Sequence, residues 1–275
     1  MRSAAFVEAR TERVEARPDH QRWIDYPLRG ATFCLVELQK LRHDRTEVFT
    51  RAVQPVLWLV IFGETFNKLH AIPTGHVPYI DFLAPGIIAQ SGLFVAIFYG
   101  IQIIWERDSG VLTKLLVTPT PRSALIFGKS FAAGIRALTQ VCVVLVLAAI
   151  LGVALSANPL AILGSFLAVM LGAGFFSCVS MTVAGVVLKR DRLMGIGQLI
   201  TMPLFFASNA LYPVKVMPGW LQGLSTVNPM SYEVDALRGM LIGSHAHLGE
   251  DFLVLVAALA VGVVVSSALV GRLAQ

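Results

Sequence analysis

One stretch of the sequence has the residue types for phosphate chemistry. Residues 123–130, SALIFGKS, end in the Gly-Lys-Ser of a nucleotide-binding loop. Such a loop needs another glycine five residues before the Gly of Gly-Lys, because its backbone amides wrap around the phosphates. Here Ser123 occupies that position, and the stretch opens an apolar run of helix length instead of following a strand. We therefore expect no nucleotide site in this chain.

The other polar side chains predict no catalytic centre. His245, His247 and Glu250 could bind a metal ion, but three scattered ligands in one loop are weak evidence for a metal site. No spacing suggests a Ser/His/Asp, Cys/His or paired-carboxylate arrangement. We accordingly predict no catalytic residues, no metal and no cofactor bound by this chain. Two possible functions are therefore disfavoured. One is a membrane enzyme that acts on lipids, and the other is a structural scaffold.

The composition indicates a membrane protein. Of 275 residues, 56% are hydrophobic and 14% are charged, whereas soluble domains carry about 25% charged residues. The net charge of +5 comes from Lys and Arg beside apolar segments, without nucleic-acid recognition motifs, so no nucleic-acid partner is expected. The first fifty residues lack the apolar core of a cleavable signal peptide. The three cysteines predict no disulfide.

Six apolar segments have roughly the length that a membrane-spanning helix requires. They are predicted at residues 52–66, 79–104, 131–155, 160–188, 193–211 and 251–273. Lys and Arg number eighteen on the side that holds both termini and three on the opposite side. Because cytoplasmic loops are enriched in these residues, the pattern predicts an all-α polytopic protein of six transmembrane helices. Both termini would be cytoplasmic, in a bacterial inner or plasma membrane.

Three polar segments accompany the spans. Residues 1–50 are predicted as a cytoplasmic tail, in which 30–50 form either a basic amphipathic helix on the membrane surface or an ordinary soluble helix. Residues 51–275 form the transmembrane domain. Its loop 105–124 contains a short amphipathic helix capped by Ser109, which either docks on a cytoplasmic partner or lies on the lipid headgroups. The outer segment 212–250 includes a helix that begins at Asn228 and Pro229.

A few polar residues fall inside the predicted spans. They could line a translocation path, or they could hydrogen-bond between packed helices, which is the more common role. Glu64 could also lie at the outer interface if the first span is short. The candidates for a translocation path are Glu64, Gln90, Ser91, Gln198 and Asn209.

Residues 106–129, ERDSGVLTKLLVTPTPRSALIFGK, closely resemble the first cytoplasmic loop of the ABC-2 type transporter permeases. That loop has the pattern E-R-x-x-G-x-x-x-x-L-L-x-[ST]-P, then a spacer and G-K. YIDFLAPGIIAQSGLF resembles the family's second span, and NPMSYEVDALRGMLIG resembles its segment before the last span. MGIGQLITMPLFFASNALYPVKVMPGWLQ resembles its fifth span, notably in the daunorubicin-resistance and nodulation lipo-oligosaccharide export subgroups.

The resemblance implies a permease subunit of an ATP-driven exporter. In that family two such subunits pair in membrane lipid, and each docks on a cytoplasmic ABC ATPase that binds ATP and Mg²⁺. The implied cargo is an amphiphilic drug-like molecule or a lipid-linked product, with polysaccharide or lipo-oligosaccharide export as the alternative. The implied ATPase-coupling residues are Glu106, Arg107, Gly110, Leu112, Leu115, Leu116 and Pro119. The implied outer re-entrant segment includes Asn228, Pro229, Tyr232, Asp235 and Arg238.

Overall fold

The structure is a computed structural model that describes residues 53–69, 72–74, 77–112, 114, 122–244 and 246–271. Within these residues every regular element is a helix. The predicted tail 1–50 lies outside the described residues, and its assignment stays a prediction. The all-α expectation is confirmed for the described part of the chain.

Nine helices in the described part are numbered here in chain order. The first, α1, covers residues 53–69 and has a π-helical stretch at Trp58–Gly63. The others are α2 (Tyr79–Ile101), α3 (Ile103–Asp108), α4 (Arg122–Ile150), α5 (Pro159–Val187), α6 (Arg190–Phe206), α7 (Gly219–Val227), α8 (Pro229–Leu241) and α9 (Leu248–Val270).

Four stretches of the described residues are long and apolar enough to cross a membrane. They are α2 with α3, α4, α5 and α9, which correspond to four of the six predicted spans. Of the other two predicted spans, α1 is helical over the described residues 53–69. Helix α6 has 17 residues, which is shorter than the roughly 20 that a straight crossing needs. Three predicted boundaries are corrected. Helix α4 begins at Arg122 rather than at residue 131 and ends at Ile150 rather than at residue 155, and α6 ends at Phe206 rather than at residue 211.

Two helices begin at an Asn-Pro pair, as the sequence predicts for α8. The Asn228 side chain accepts a hydrogen bond from the backbone N–H of Met230, and Asn158 does the same for Leu160 at the start of α5. Proline follows each asparagine at the first helical position. A backbone N–H at that position would have no acceptor within the helix, so proline is tolerated there. The predicted helix start at Asn228 is therefore confirmed.

Helix α2 lies at the centre of the bundle and α9 at its edge. Within the most apolar window of 18 consecutive residues, 83% of the residues are buried in the stretch formed by α2 and α3, whereas 22% are buried in α9. Helix α5 packs against α2, α4, α8 and α9. The short helix α8 packs against α5, α9 and α2, so a segment too polar to span still joins the core. Polar side chains group at two ends of this bundle. The Glu106 end, as it is called here, holds Glu106, Arg107 and Lys129, and the Arg238 end holds Asn209, Asp235 and Arg238.

Candidate coupling and translocation site

The segment of residues 106–112, called here the coupling segment, is joined to α4 by an ion pair. Lys129 donates from Nζ to Oε1 of Glu106 at 2.7 Å, and the lysine is only 8% exposed. This lysine is the one in Gly-Lys-Ser. Because it lies within α4 and its charge is neutralised by Glu106, the Gly-Lys-Ser residues do not fit a phosphate.

A second bond joins the coupling segment to the end of α5. Nη1 of Arg107 donates to the backbone carbonyl of Leu188 at 3.1 Å, while Nε and Nη2 donate to Asp108. Leu188 is the residue at which α5 ends, in a left-handed conformation with φ of 57°. A carbonyl at a helix C-terminus lacks a helical partner, so Arg107 satisfies an acceptor that α5 leaves open.

The turn after α3 explains the glycine of the coupling segment. Gly110 has φ of 72°, and its N–H donates to the carbonyl of Arg107, a conformation that favours glycine because it has no Cβ. The Ser109 hydroxyl donates to the carbonyl of Glu106 at 3.1 Å. It therefore closes the end of α3, and because most of the helix that follows lies outside the described residues, its capping by Ser109 stays a prediction.

The two apolar residues of the coupling segment divide between core and surface. Leu112 is 0% exposed and belongs to the chain's own apolar core, whereas Val111 is 45% exposed. Leu112 therefore anchors the segment in the core, and its coupling role stays a prediction. Leu115, Leu116 and Pro119 lie outside the described residues, so their coupling role stays a prediction.

A pocket of about 360 Å³ lies between α1, α2 and α4. Its lining includes the amides Gln90 and Gln140, which are 2% and 3% exposed. The Nε2 atom of each has no hydrogen-bond partner among the described residues. The lining residues are Gln54, Pro55, Gln90, Ser91, Phe94, Val95, Phe98 and Gln140. Among the described residues this lining is mainly apolar and has no charged side chain, and the two amide nitrogens are buried in the pocket wall.

The structure brings two of the five predicted path residues to this pocket. Gln90 and Ser91 line it, although the Ser91 hydroxyl is already bonded to the carbonyl of Ile87. Glu64 and Gln198 are exposed on α1 and α6. Asn209 lies beyond the end of α6, in a turn, where its Nδ2 donates to Asp235 at 2.6 Å. Its predicted place on the fifth span is corrected.

Arg238 organises the opposite end of the bundle. Its guanidinium donates to the backbone carbonyls of Phe82, Asn209 and Ala210, and it lies 3.6 Å from the centre of the Phe82 ring. Burial lowers the pKa of Arg238 to about 10, an effect that Asp235 partly offsets. The arginine stays charged at neutral pH and ties α8 to α2 and to the turn after α6.

The other predicted residues of the outer segment hold its helices together. Nδ2 of Asn228 donates to the Leu204 carbonyl, and the Tyr232 hydroxyl donates to the Thr226 carbonyl. Asp235 lies 3.9 Å from Nη1 of Arg238. In the part of the chain that the structure describes, no three His, Cys, Asp or Glu side chains are grouped to hold a metal ion. His245 lies outside that part.

Sequence reasoning missed two buried polar residues. Gln140 is a single amide in an apolar run, and only the fold shows that it lines the same pocket as Gln90. Glu233 is 0% exposed, although it lies in a segment that is too polar to span the membrane. A signal for it existed, because Glu233 precedes Leu237 and Leu241 by four and eight residues on the apolar face of α8.

Comparison with known proteins gives a consistent result. The family model for the ABC-2 type transporter matches residues 33–242. A putative transport permease ycf38 of Cyanophora paradoxa is 29% identical over 201 residues, which cover 72% of this chain and 69% of that one. A daunorubicin resistance ABC transporter permease of Streptomyces coeruleorubidus is 22% identical over 207 residues, covering 75% and 72%.

A third relative is a nodulation protein. Nodulation protein J of Rhizobium leguminosarum bv. viciae is 26% identical over 191 residues, covering 69% of this chain and 72% of the relative. Across such relatives the match covers between 64% and 74% of the relative's own length.

Proposed function

Because the chain belongs to the ABC-2 type transporter family and is a multi-pass membrane permease of an ABC exporter, we propose that a separate ABC ATPase drives it. The Gly-Lys-Ser lysine is committed to Glu106, so the nucleotide would be bound by that partner. A second permease chain, identical or related, would complete the transporter. The charge count places the Glu106 end in the cytoplasm, where the ATPase would dock.

The observation that carries this proposal is the double attachment of the coupling segment. Glu106 joins it to α4, and Arg107 joins it to the end of α5. Helix α4 in turn lines the pocket through Gln140. A displacement of the coupling segment by an ATPase would therefore act directly on a helix that faces the cargo.

Copurification tests the ATPase. We expect an ATPase subunit to accompany the affinity-purified chain from its native membranes, and to be lost when Leu115→Asp and Leu116→Asp are combined. Val216→Asp is the matched control, because Val216 is 48% exposed and lies toward the other end of the bundle. Absence of any ATPase, or equal loss in the control, would contradict the proposed docking.

The pocket favours an amphiphilic cargo that carries oxygen acceptors. Two buried donors, Gln90 and Gln140, have no partner among the described residues, and Phe94 and Phe98 supply an aromatic wall. A volume of about 360 Å³ falls within the range of small-molecule sites. No charged side chain is among the described residues of the lining, so a neutral group fits better than a cation. A drug-like molecule or the headgroup region of a lipid-linked product meets this description.

Substitution of the two amides tests the cargo assignment. Replacing Gln90 or Gln140 by Leu keeps the side-chain volume and removes one donor, which is worth roughly 0.5–1.5 kcal/mol, or about 2- to 10-fold in affinity. The probe is a neutral hydroxyanthraquinone dye, titrated into the protein in lipid nanodiscs. Gln198→Leu on the exposed face of α6 is the control. Unchanged dye binding in both pocket variants would remove these amides from the path.

Glu64 provides a contrasting test. It is exposed on α1 and is not in the pocket lining, so Glu64→Gln should leave binding of the neutral dye unchanged. A Glu64→Gln variant that loses the dye would place the path on a different face of α1.

A further inference from the structure

One acid in the bundle is used by neither the coupling segment nor the pocket. Glu233 lies on α8, is 0% exposed, and directs its carboxyl group between α5 and α2. A Cβ atom built on Gly172 of α5 would clash with its Oε2, and one built on Gly92 of α2 would lie 3.8 Å from its Oε1. The carboxyl group therefore occupies a space that a glycine on α5 leaves open.

Neither carboxyl oxygen of Glu233 has a hydrogen-bond partner among the described residues. A buried carboxylate without a hydrogen bond or a counter-charge is strongly disfavoured, and such a group takes up a proton instead. Consistent with this, burial raises the pKa of Glu233 well above its ordinary value. The packed arrangement therefore requires the neutral acid.

The charged groups around α8 do not change this result. Helix α5 and helix α7 contain no Asp, Glu, His, Lys or Arg. Arg238 on α8 itself is bonded to three backbone carbonyls, and Asp235 accepts from Asn209. None of the remaining titratable or charged groups on the described helices of the bundle core is hydrogen-bonded to the Glu233 carboxyl group: these are Tyr79, Asp81 and Tyr99 on α2, Arg122, Lys129, Arg136 and Cys142 on α4, Cys178 on α5, Tyr232 on α8, and His247, Glu250 and Asp251 at the start of α9.

We propose that Glu233 is a proton-binding site of the membrane domain, occupied while α8 is packed against α5 and α2, and emptied when α8 separates from them and water reaches the carboxyl group. The O–H bond of the acid then breaks, and the proton passes to that water. When α8 packs again, a proton returns from water to the carboxylate. This inference rests on the packing around Glu233 and is independent of the identity of the cargo.

The direction of the pH effect follows from the raised pKa. Below the ordinary pKa of a glutamate the carboxyl group is neutral in both states, and packing of α8 is fully favourable. As the pH rises from there toward the pKa of the packed state, the ratio of separated to packed molecules increases by up to about tenfold per pH unit. Alkaline conditions at the Arg238 end therefore favour separation of α8.

Infrared spectroscopy of the protein in lipid bilayers tests the site without any transport assay. At neutral pH we expect a protonated-carboxyl band in the difference spectrum between the wild type and Glu233→Gln. The matched control is Glu250→Gln, an exposed acid at the start of α9, whose difference spectrum should lack this band. Absence of the band at neutral pH in the Glu233→Gln difference spectrum would overturn the proposal.

The melting temperature as a function of pH tests the coupling to packing. Stability of the wild type should fall relative to Glu233→Gln as the pH rises above the ordinary range of a glutamate. Glutamine keeps the shape and the neutrality of the protonated acid, so this variant should fold. Failure of the variant to fold, or parallel curves for the two proteins, would contradict a proton held by packing.

Discussion

The two ends of the bundle each hold a buried cation, and they neutralise it in different ways. At the Glu106 end, Lys129 is paired with the carboxylate of Glu106 on a neighbouring helix. At the Arg238 end, the arginine is bound mainly by backbone carbonyls of α2 and of the turn after α6. Glu233, an acid on the same short helix, is left without a charged partner at hydrogen-bonding distance among the described residues.

This difference separates a contact that can exchange from one that holds structure. The Glu106 side chain is 23% exposed, so water or a partner protein can reach the pair and replace one member. Arg238 is 5% exposed and its acceptors are main-chain atoms, so no side chain can compete for it without dismantling the turn. The Glu106 end thus suits transmission of a signal, while Arg238 fixes the position of α8.

The largest expected effect is at Arg238. Arg238→Met keeps much of the side-chain volume but leaves the carbonyls of Phe82, Asn209 and Ala210 without their donor, which should cost about 3–5 kcal/mol. Thermal unfolding in nanodiscs would measure this. Asp235→Asn is the control and should cost less than about 1 kcal/mol, since that carboxylate is 46% exposed. Equal losses would mean that the ion pair, not the carbonyls, binds Arg238.

The next effect concerns the space beside Glu233. Gly172→Ala places a methyl group against the carboxyl group, and such overpacking should cost about 1–3 kcal/mol. Gly195→Ala is the matched control, because nothing lies within 4 Å of a Cβ at that position. In a Glu233→Ala background the cost of Gly172→Ala should shrink. An unchanged cost would show that something other than the carboxyl group resists the methyl.

A smaller effect is expected for the Glu106–Lys129 pair. A double-mutant cycle with Glu106→Gln and Lys129→Gln should give a coupling energy of about 1 kcal/mol, because the pair is only partly buried. Added salt should reduce this coupling energy but not the cost of Arg238→Met. A coupling energy that does not change with salt would contradict the proposal that the Glu106–Lys129 pair is accessible to exchange while the Arg238 contacts are not.

The smallest effect is at the end of α5. Leu188 has φ of 57°, so Leu188→Gly should relieve strain and raise stability by up to about 1 kcal/mol. Val186→Gly is the control within the helix, where glycine should instead lower stability by a similar amount. A loss at both positions would indicate that the Leu188 side chain contributes more by packing than its backbone costs.

The sequence predicted what depends on local patterns. The long apolar runs of α2, α4, α5 and α9 identify spanning helices, and the Asn-Pro pair at residue 228 gives the start of α8. Boundaries were less accurate where polar residues continue a helix. Arg122 and Lys129 appear to end a loop when only hydropathy is read, yet both belong to α4, because Lys129 is neutralised by Glu106 on another helix.

Contacts between distant segments were beyond sequence reasoning. The bond from Arg107 to Leu188 joins residues 81 positions apart, and the approach of Gln140 to Gln90 depends on how α4 packs on α2. Glu233 was overlooked because a charged residue in a polar segment is expected to face water. Its burial becomes evident only when Gly172 on another helix is seen to make room for it.

The short connection between α5 and α6 also bears on biogenesis. Only Leu188 and Lys189 separate the two helices, so neither helix can enter the bilayer far ahead of the other. We expect α5 and α6 to insert together as a helical hairpin whose tip, rich in Lys and Arg, stays on the ribosome side. A longer connection would let α6 insert late or in the wrong orientation, and the Arg107 contact at Leu188 could form only after insertion is complete.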